Sequence, residues 1–228
     1  MENKWFTNTK CIILCAGKGT RLIPKTLELP KPMLTFEGKP IIEHVINYWK
    51  QFTSDFIFIV GYKKEILIDF VKKLPINSEF IEQKELKGIA HAISLAKDSV
   101  SDNFTVVLGD CICKGSFNFP ENMEQGIGVW KTKSEEDIKR SYSIELNNNI
   151  ITKVVEKPTE LINNLCGMGF YFFNKKVFSF IDKAEPTPLR NEIEITNILQ
   201  DMINAGENIS PVFFEGEYLN VTNSKDLK

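Results

Sequence analysis

Histidine is scarce in this sequence, and its positively charged residues and cysteines are dispersed along the chain. Among its 228 residues, 28 Lys and Arg stand against 30 Asp and Glu, which gives a formal net charge of −2, and there are only two histidines. No run of Lys or Arg is longer than two residues. Because nucleic-acid-binding surfaces concentrate positive charge, this balance predicts no nucleic-acid partner.

Long apolar segments are also missing. The longest apolar run near the N terminus, residues 11–16, is far shorter than the roughly 20 residues that a membrane helix needs, and the sequence around it lacks the layout of a signal peptide. The five cysteines are odd in number and lie in apolar stretches, which is typical of reduced, partly buried thiols. We therefore expect a cytoplasmic protein with no membrane partner.

The remaining composition is that of a folded protein. Hydrophobic residues make up 43% of the chain and charged residues 25%. A chain of this length buries roughly 70% of its unfolded surface, so residues 1–228 are expected to form a single domain. Its two halves, residues 1–110 and 111–228, differ in pattern.

Short β-rich runs alternate with helical patterns in the first half. The β-rich runs are residues 11–15, 56–60, 78–82 and 104–108. Such alternation predicts an α/β fold, with a Rossmann-like, mostly parallel sheet and helices on both faces. Ligands of such sheets bind beyond the carboxyl ends of the strands, so we expect the functional residues there.

The second half has a different order of elements. Two strand patterns flank Asn147, Asn148 and Asn149, which together are a strong turn signal. The further elements predicted are strands near residues 126–132, 167–173 and 209–214 and helices near residues 175–183 and 191–205. This order predicts an α+β insertion that covers one side of a cleft.

The glycine-rich loop LCAGKGTRL, residues 14–22, follows the first predicted strand. Glycines let backbone N–H groups approach phosphate oxygens, and Arg21 adds a planar fork that binds such oxygens in a bidentate manner. The Rossmann fingerprint does not fit because Leu22 replaces its third glycine, and no P-loop sequence is present. Three prolines within residues 24–32 predict an extended loop in place of an immediate helix.

This loop begins a longer signature. Residues 14–34 read LCAGKGTRLIPKTLELPKPML and meet nearly every position of L-x-A-G-x-G-T-R-L-x-P-x-T-x-x-x-P-K-P-M-L. In this signature the chain resembles the nucleotidyltransferase family that makes nucleotide-activated sugars and related phosphates. Glucose-1-phosphate thymidylyltransferases and uridylyltransferases are the most similar in pattern, and the resemblance extends over almost the whole chain.

The resemblance implies that residues 1–110 bind a nucleoside triphosphate. In the family, the loop arginine grips the departing pyrophosphate and the lysine of P-K-P-M contacts the α-phosphate, and these are Arg21 and Lys31 here. The implied nucleotide-binding residues of the loop are Leu14, Ala16, Gly17, Gly19 and Thr20. Such a site acts by positioning and charge neutralisation, because an acceptor phosphate attacks the α-phosphorus in line.

The resemblance also implies a base contact and a magnesium site. Pyrimidine-binding members have Gln five residues before Gly, a spacing that Gln83 and Gly88 meet, and a glutamine amide suits uracil, thymine and cytosine alike. Asp110 stands at the position of the catalytic metal ligand, where one carboxylate together with triphosphate oxygens suits Mg²⁺. Asn220 stands where the family has a second, aspartate ligand, and a neutral amide binds Mg²⁺ more weakly.

The acceptor half, residues 111–228, contains two further matches to the family. Glu156 and Lys157 belong to an E-K-P sequence whose lysine binds the acceptor phosphate, and Arg190 belongs to a sequence whose arginine does likewise. Ser143, in contrast, replaces a glycine that contacts the hexose. The sequence therefore leaves two classes of acceptor open, a sugar 1-phosphate and a non-sugar phosphate such as phosphocholine.

These features lead us to expect an enzyme, a Mg²⁺-dependent nucleotidyltransferase. It would move a nucleotidyl group from a pyrimidine nucleoside triphosphate to a phosphorylated small-molecule acceptor and release pyrophosphate. The alternative is a CTP-dependent cytidylyltransferase for a non-sugar phosphate. A more remote alternative, suggested by Asn220, is a nucleotide-binding regulatory module with weak catalysis. The sequence does not decide which pyrimidine base is bound. It also does not decide the oligomeric state, and a homo-oligomer is one of the states left open.

Overall fold

A computed structural model describes residues 4–187 and 192–227 of the chain. The strands of these residues are β1 (Lys10–Leu14), β2 (Thr35–Phe36), β3 (Lys39–Pro40), β4 (Asp55–Val60), β5 (Asn77–Glu82), β6 (Asn103–Leu108), β7 (Cys111–Asn118), β8 (Gln125–Lys131), β9 (Tyr142–Asn147), β10 (Ile150–Glu156), β11 (Leu165–Asn174) and β12 (Ile209–Asn220). The α-helices are α1 (Ile41–Trp49), α2 (Lys64–Val71), α3 (Ile89–Ser94), α4 (Glu135–Arg140), α5 (Lys176–Ile181) and α6 (Ile195–Asn204).

Ten of these strands form one sheet. Along its longest path the order is β5-β4-β1-β6-β11-β8-β12-β7, and β9 pairs with both β10 and β11. The first four strands of the path are parallel, as are β8 and β12, and the other pairs are antiparallel. β2 and β3 form a separate pair. The Rossmann-like α/β fold is thus confirmed, with parallel pairing concentrated in the first half.

Alternate strand residues build a hydrophobic core on each face of the sheet. In β4, Phe56 and Phe58 pack in one core with α1 and α2, whereas Ile57 and Ile59 pack in the other with α3, α5 and α6. All four side chains are at most 2% exposed. A parallel strand covered on both faces must be apolar at successive positions, which explains the uninterrupted run FIFIV. Helices therefore lie on both faces, as the sequence predicts.

The parallel strands bring three chain segments to one edge of the sheet. Leu14 ends β1 beside Leu108, which ends β6, so the glycine-rich loop and Asp110 emerge next to each other. β5 ends at Glu82, and Gln83 follows it at the same edge. This edge is the one at which open α/β sheets bind ligands.

β9 and β10 form the antiparallel pair that the three asparagines predict. Asn147 pairs with Ile150 across the turn. Asn148 and Asn149 have φ angles of 49° and 60°, a left-handed conformation that asparagine adopts more readily than most residues. This pair belongs to the predicted α+β insertion.

Two strands and one helix differ from the prediction. β12 continues six residues beyond the predicted end to Asn220 because it pairs with β7, a strand that the sequence analysis did not identify. Asn220 thereby lies opposite Cys111, the residue after Asp110. Helix α4 was also not predicted, and the Ser134 hydroxyl caps its N terminus by accepting the Asp137 N–H.

The chain from the end of the glycine-rich loop to Met33 is not the extended loop that its prolines predict. It folds into three short 3-10 turns, Thr20–Leu22, Lys25–Leu27 and Lys31–Met33. Proline fixes φ near −65° and lacks an N–H, and both properties are compatible with the first positions of such a turn. Of the helices described, none has the length and the apolar character needed to span a membrane.

Gly167 of β11 permits close packing of a buried tyrosine. An added Cβ at Gly167 would overlap the Tyr142 ring, which is 3% exposed and whose hydroxyl donates to the Met168 carbonyl. Gly167→Ala is therefore expected to lower the free energy of unfolding by about 3 kcal/mol, measured by urea denaturation. Gly17→Ala, where a Cβ meets no atom within 4 Å, is the control. Equal stability of the two variants would contradict this expectation.

Candidate functional site

A cavity of about 550 Å³ opens at the carboxyl ends of β1, β5 and β6, and we call it the main cavity. Its volume lies within the range of small-molecule binding sites. Its lining residues are Leu14, Cys15, Ala16, Gly17, Lys18, Gly19, Thr20, Lys31, Pro32, Gln83, Leu86, Gly88, Ile89, Ala92, Leu108, Gly109, Asp110, Glu156, Lys157, Glu192 and Glu194.

The glycine-rich loop uses its two glycines in different ways. Gly19 has a φ of 61°, and its carbonyl accepts the Thr26 hydroxyl at 3.1 Å. A Cβ at Gly19 would lie 3.0 Å from side-chain atoms of Thr26 and Lys31, so both conformation and space require glycine. At Gly17 a Cβ would meet no atom within 4 Å. Gly17 therefore leaves its backbone open to a ligand in the main cavity.

Lys31 and Asp110 form an ion pair in the wall of the main cavity. Their side chains are 16% and 24% exposed, so the pair is partly withdrawn from water. Attraction between partly buried opposite charges exceeds that of an exposed pair. The pair places a cation that suits phosphate beside a carboxylate that suits a metal ion.

Asp110 places a carboxylate in the main cavity next to the glycine-rich loop, and carboxylate oxygens suit Mg²⁺. Within residues 4–187 and 192–227, no cluster of three or more His, Cys, Asp or Glu could hold a metal ion by itself. A lone carboxylate nevertheless fits Mg²⁺ where substrate phosphates add oxygens, because this ion retains waters and needs few protein ligands. Asn220 lines a different cavity, although its neighbour Val221 donates an N–H to the Asp110 carbonyl at 3.0 Å.

Gln83 is buried at the edge of the main cavity, with 6% of its surface exposed. Its amide nitrogen lies 3.3 Å from the Gly88 carbonyl oxygen and 3.0 Å from Nδ1 of His91. Gly88 has a φ of 94°, and a Cβ there would lie 2.7 Å from the Ile193 carbonyl oxygen. The glycine that the sequence analysis paired with Gln83 is therefore required by close backbone packing.

Acidic side chains accompany Lys157 in the main cavity. Lys157 pairs with Glu156 at 3.1 Å, and its backbone N–H donates to the Ser141 carbonyl at 2.8 Å. Glu192 and Glu194 line the same cavity. One cation among carboxylates can bind a phosphate while the carboxylates accept hydrogen bonds from hydroxyl or amino groups.

A second cavity of about 120 Å³ lies between α4 and the end of β12. Its lining residues are Trp130, Asp137, Arg140, Ser141, Cys166, Tyr218, Leu219, Asn220, Thr222 and Asp226. A cavity of roughly 150 Å³ accommodates benzene, so this one holds a group of about six heavy atoms or fewer.

Burial disfavours the reactive, ionised form of the thiols beside the main cavity. Cys15 lines the cavity but is 4% exposed, and burial together with the charge of Asp110 raises the pKa of its thiol well above the usual range. Burial likewise raises the pKa of Cys111. Because the thiolate is the reactive form of cysteine, these groups remain protonated packing residues.

The structure brings together most of the residues that the sequence analysis selects. The main cavity is lined by Leu14, Ala16, Gly17, Gly19, Thr20, Lys31, Gln83, Gly88, Asp110, Glu156 and Lys157. Arg21 is exposed and does not line it, and neither does Asn220. Arg190 lies outside the described residues.

Lys18, Glu192 and Glu194 line the main cavity without having been selected. Lys18 is the variable position between the two glycines of the loop, which the signature leaves undefined. Glu192 and Glu194 alternate with Ile193, and alternate residues of an extended segment face the same side. This alternation in the sequence is the signal that could have identified the two carboxylates as residues of one face.

Comparison with known proteins decides the family. Residues 10–227 match the family described as nucleotidyl transferase, which is nearly the whole chain. The chain belongs to this family. The family inferred from the signature of residues 14–34 is thereby confirmed.

Individual relatives agree with this assignment. A bifunctional protein GlmU of Methanocaldococcus jannaschii is 35% identical over 95% of this chain, which spans 52% of the relative. The UTP–glucose-1-phosphate uridylyltransferase AglF of Haloferax volcanii is 30% identical over 95% of this chain and 93% of its own length. The structure of UDP-glucose pyrophosphorylase with UDP-glucose, at 22% identity, has a TM-score of 0.83 over 97% of this chain and 96% of its own, and supports the fold.

Gly17→Ala separates stability from ligand binding. The added Cβ has space in the protein but projects into the open region that the main cavity offers to a ligand. We expect the free energy of unfolding to stay within about 0.5 kcal/mol of wild type and nucleoside triphosphate affinity to fall about tenfold, measured by titration calorimetry. Ser179→Ala on α5 is the matched surface control. Unchanged affinity in Gly17→Ala would show that the loop does not hold the nucleotide.

Proposed function

We propose that this chain transfers a nucleotidyl group from a pyrimidine nucleoside triphosphate to a sugar 1-phosphate or a similar small phosphate, with Mg²⁺, and releases pyrophosphate. The main cavity supports this proposal, because it joins the glycine-rich loop and the Lys31–Asp110 pair to Lys157 of the acceptor half. Transfer between two phosphate groups requires positive charge at two places, and Lys31 and Lys157 meet this requirement.

The reaction needs little covalent chemistry from the protein. An oxygen of the acceptor phosphate attacks the α-phosphorus and forms a new P–O bond, while the bond to the bridging oxygen breaks and its electron pair leaves with pyrophosphate. A phosphate monoester with a second pKa of about 6 is largely ionised at neutral pH, so no general base is needed. The protein contributes by holding both phosphates in line and neutralising their charge.

Each charged residue has a place in this scheme. Lys31 neutralises charge at the α-phosphate, and backbone N–H groups of the glycine-rich loop bind the outer phosphates. Asp110 would hold Mg²⁺, which would neutralise charge on the triphosphate. Arg21, on the exposed side of the loop, contacts the departing pyrophosphate, and Lys157 together with Arg190 binds the acceptor phosphate.

The proposal of a pyrimidine base depends on Gln83, whose buried side chain lines the main cavity. The relatives do not select the base. The Haloferax volcanii relative is named for UTP, whereas a mannose-1-phosphate guanyltransferase of Schizosaccharomyces pombe is 32% identical over 95% of this chain and is named for a purine. The choice among uracil, thymine and cytosine therefore needs direct measurement.

A CTP-dependent transfer to a non-sugar phosphate is the second candidate. Its support is Ser143, which stands in place of a glycine, is 4% exposed and pairs with Cys166 of β11. The Haloferax volcanii relative, named for glucose 1-phosphate, favours the sugar.

A matrix of substrates tests both candidates. The protein is incubated with Mg²⁺, one of UTP, dTTP, CTP and GTP, and a panel of sugar 1-phosphates and non-sugar phosphates, and pyrophosphate is measured. Release with UTP or dTTP and a sugar 1-phosphate supports the first candidate. Release with CTP and a non-sugar phosphate supports the second, and no release from a folded preparation contradicts both.

Substitution of Lys31 and substitution of Lys157 are expected to change different kinetic parameters. Lys31→Ala should lower kcat about 100-fold, because it removes charge neutralisation at the reacting phosphate. Lys157→Ala should raise the KM for the acceptor about tenfold and leave the KM for the nucleotide nearly unchanged. Lys153→Ala, whose side chain pairs with Glu145 outside the main cavity, is the control. Equal effects of both cavity variants on both substrates would contradict this division.

Asn220 provides the test of the regulatory alternative. If the chain were a binding module, nucleoside triphosphate would bind without Mg²⁺-dependent turnover, and Asn220→Asp would create turnover by adding a carboxylate. We expect wild type to turn over and Asn220→Asp to change kcat by less than about tenfold, since Asn220 does not line the main cavity. Steady-state kinetics over a Mg²⁺ titration measure this.

A further inference from the structure

His91 contacts the proposed base-binding residue without lining the main cavity. It lies on α3 between Ile89 and Ala92, both of which do line the cavity. The imidazole is therefore placed to act on a ligand in that cavity through Gln83.

Two acceptors hold the amide nitrogen of Gln83. Nδ1 of His91 lies 3.0 Å from this nitrogen, and the Gly88 carbonyl oxygen lies 3.3 Å from it. An amide nitrogen only donates hydrogen bonds, so in this orientation of Gln83 Nδ1 accepts, and His91 is the neutral tautomer with its proton on Nε2. Both hydrogens of the amide are thereby used inside the protein.

The carbonyl oxygen of Gln83 is left for the ligand. It forms no hydrogen bond with any residue in the described part of the chain, while its side chain lines the main cavity. Reversing the amide would bring this oxygen against the oxygen of Gly88, and also against the lone pair of Nδ1 as long as the imidazole keeps its proton on Nε2. With that tautomer, two repulsive contacts would replace two hydrogen bonds, so one orientation is favoured.

The backbone around Gly88 keeps these acceptors in place. The Gly88 carbonyl also accepts the Ala92 N–H at 3.2 Å, and the Ala90 N–H donates to the Ile193 carbonyl at 3.3 Å. Of the two contacts that hold the Gln83 amide nitrogen, the one with His91 is the shorter.

We propose that His91 is a positioning residue that fixes the Gln83 amide with its carbonyl oxygen toward the main cavity, so that the nucleotide must offer an N–H donor there. This inference rests on the proposed function. It assigns to His91 a part in base selection, which neither composition nor family signature assigns.

The orientation of this amide decides between uracil and cytosine. Position 4 carries an acceptor oxygen in uracil and a donor amino group in cytosine. Position 3 is a donor in uracil and an acceptor in cytosine. Whichever of these positions faces Gln83, a fixed carbonyl oxygen favours one base and a reversed amide favours the other.

Protonation of His91 would undo the constraint. A protonated Nδ1 donates, so the Gln83 amide must turn its oxygen toward the imidazole and its nitrogen toward the cavity. Burial, followed by the charge of Lys87, lowers the pKa of His91, whereas Glu85 opposes this shift, and these two charged groups pair with each other. The neutral, orienting form therefore persists at neutral pH and is lost as pH falls below the usual histidine range.

Two substitutions isolate the acceptor at this position. His91→Asn places an amide oxygen close to where Nδ1 lies, so it keeps an acceptor but does not titrate. His91→Leu keeps a side chain of comparable bulk without an acceptor. The measurement is the ratio of kcat/KM for UTP to that for CTP, with one acceptor phosphate, between about pH 5 and 8. The ratio cancels titration of the phosphates, which the two nucleotides share.

At pH 8 the ratio in His91→Leu should move toward unity by about two- to tenfold, the effect of one net hydrogen bond. His91→Asn should retain the wild-type ratio within about twofold. On acidification the wild-type ratio should move toward unity, whereas the ratio in His91→Asn should stay constant. Titration of cytosine itself would appear in both proteins and is removed by the comparison.

A wild-type ratio that is preserved in His91→Leu, or a pH dependence that persists unchanged in His91→Asn, overturns the inference. If His91→Leu does not fold, the pH comparison with His91→Asn decides alone. If wild type turns over no nucleotide, the proposed function fails, and the same ratios measured as Kd for UTP and CTP decide the role of His91. The two failures are thus distinguishable.

Discussion

The parallel pairing of β1 with β6 is the contact on which the site depends. It sets Leu14 beside Leu108, so the chain leaves both strands at the same edge. The glycine-rich loop and Asp110 consequently emerge side by side, and Lys31 returns from its 3-10 turn to pair with Asp110. The register of these two buried strands thus brings together two oppositely charged residues that are 79 positions apart in the sequence.

Much of this arrangement is encoded locally and was predictable. Uninterrupted apolar runs such as FIFIV mark strands covered on both faces, and the positions after them supply the site. Asn148 and Asn149 mark their turn because few other residues adopt positive φ so readily. The loop signature, residues 14–34, gives the family, and its glycine at position 19 is needed for both conformation and space.

The features that could not be predicted from the sequence depend on contacts between distant segments. β7 is recognised only through its pairing with the extended end of β12, since its own pattern is interrupted by Lys114 and Gly115. The same pairing decides that Asn220 faces a cavity separate from that of Asp110. The contact of Gln83 with His91 also arises from the path of the chain through Gly88, which no spacing rule specifies.

The burial of all five cysteines has a practical consequence. Every thiol is at most 7% exposed and none is in a disulfide, so an alkylating reagent can react only with molecules that have opened locally or globally. The chain therefore contains its own reporters of opening, in β1, β7 and β11 and at Cys15 directly after β1. Cys15 is the informative one because it belongs to the glycine-rich loop, so its labelling rate would register the stiffening of that loop by any occupant.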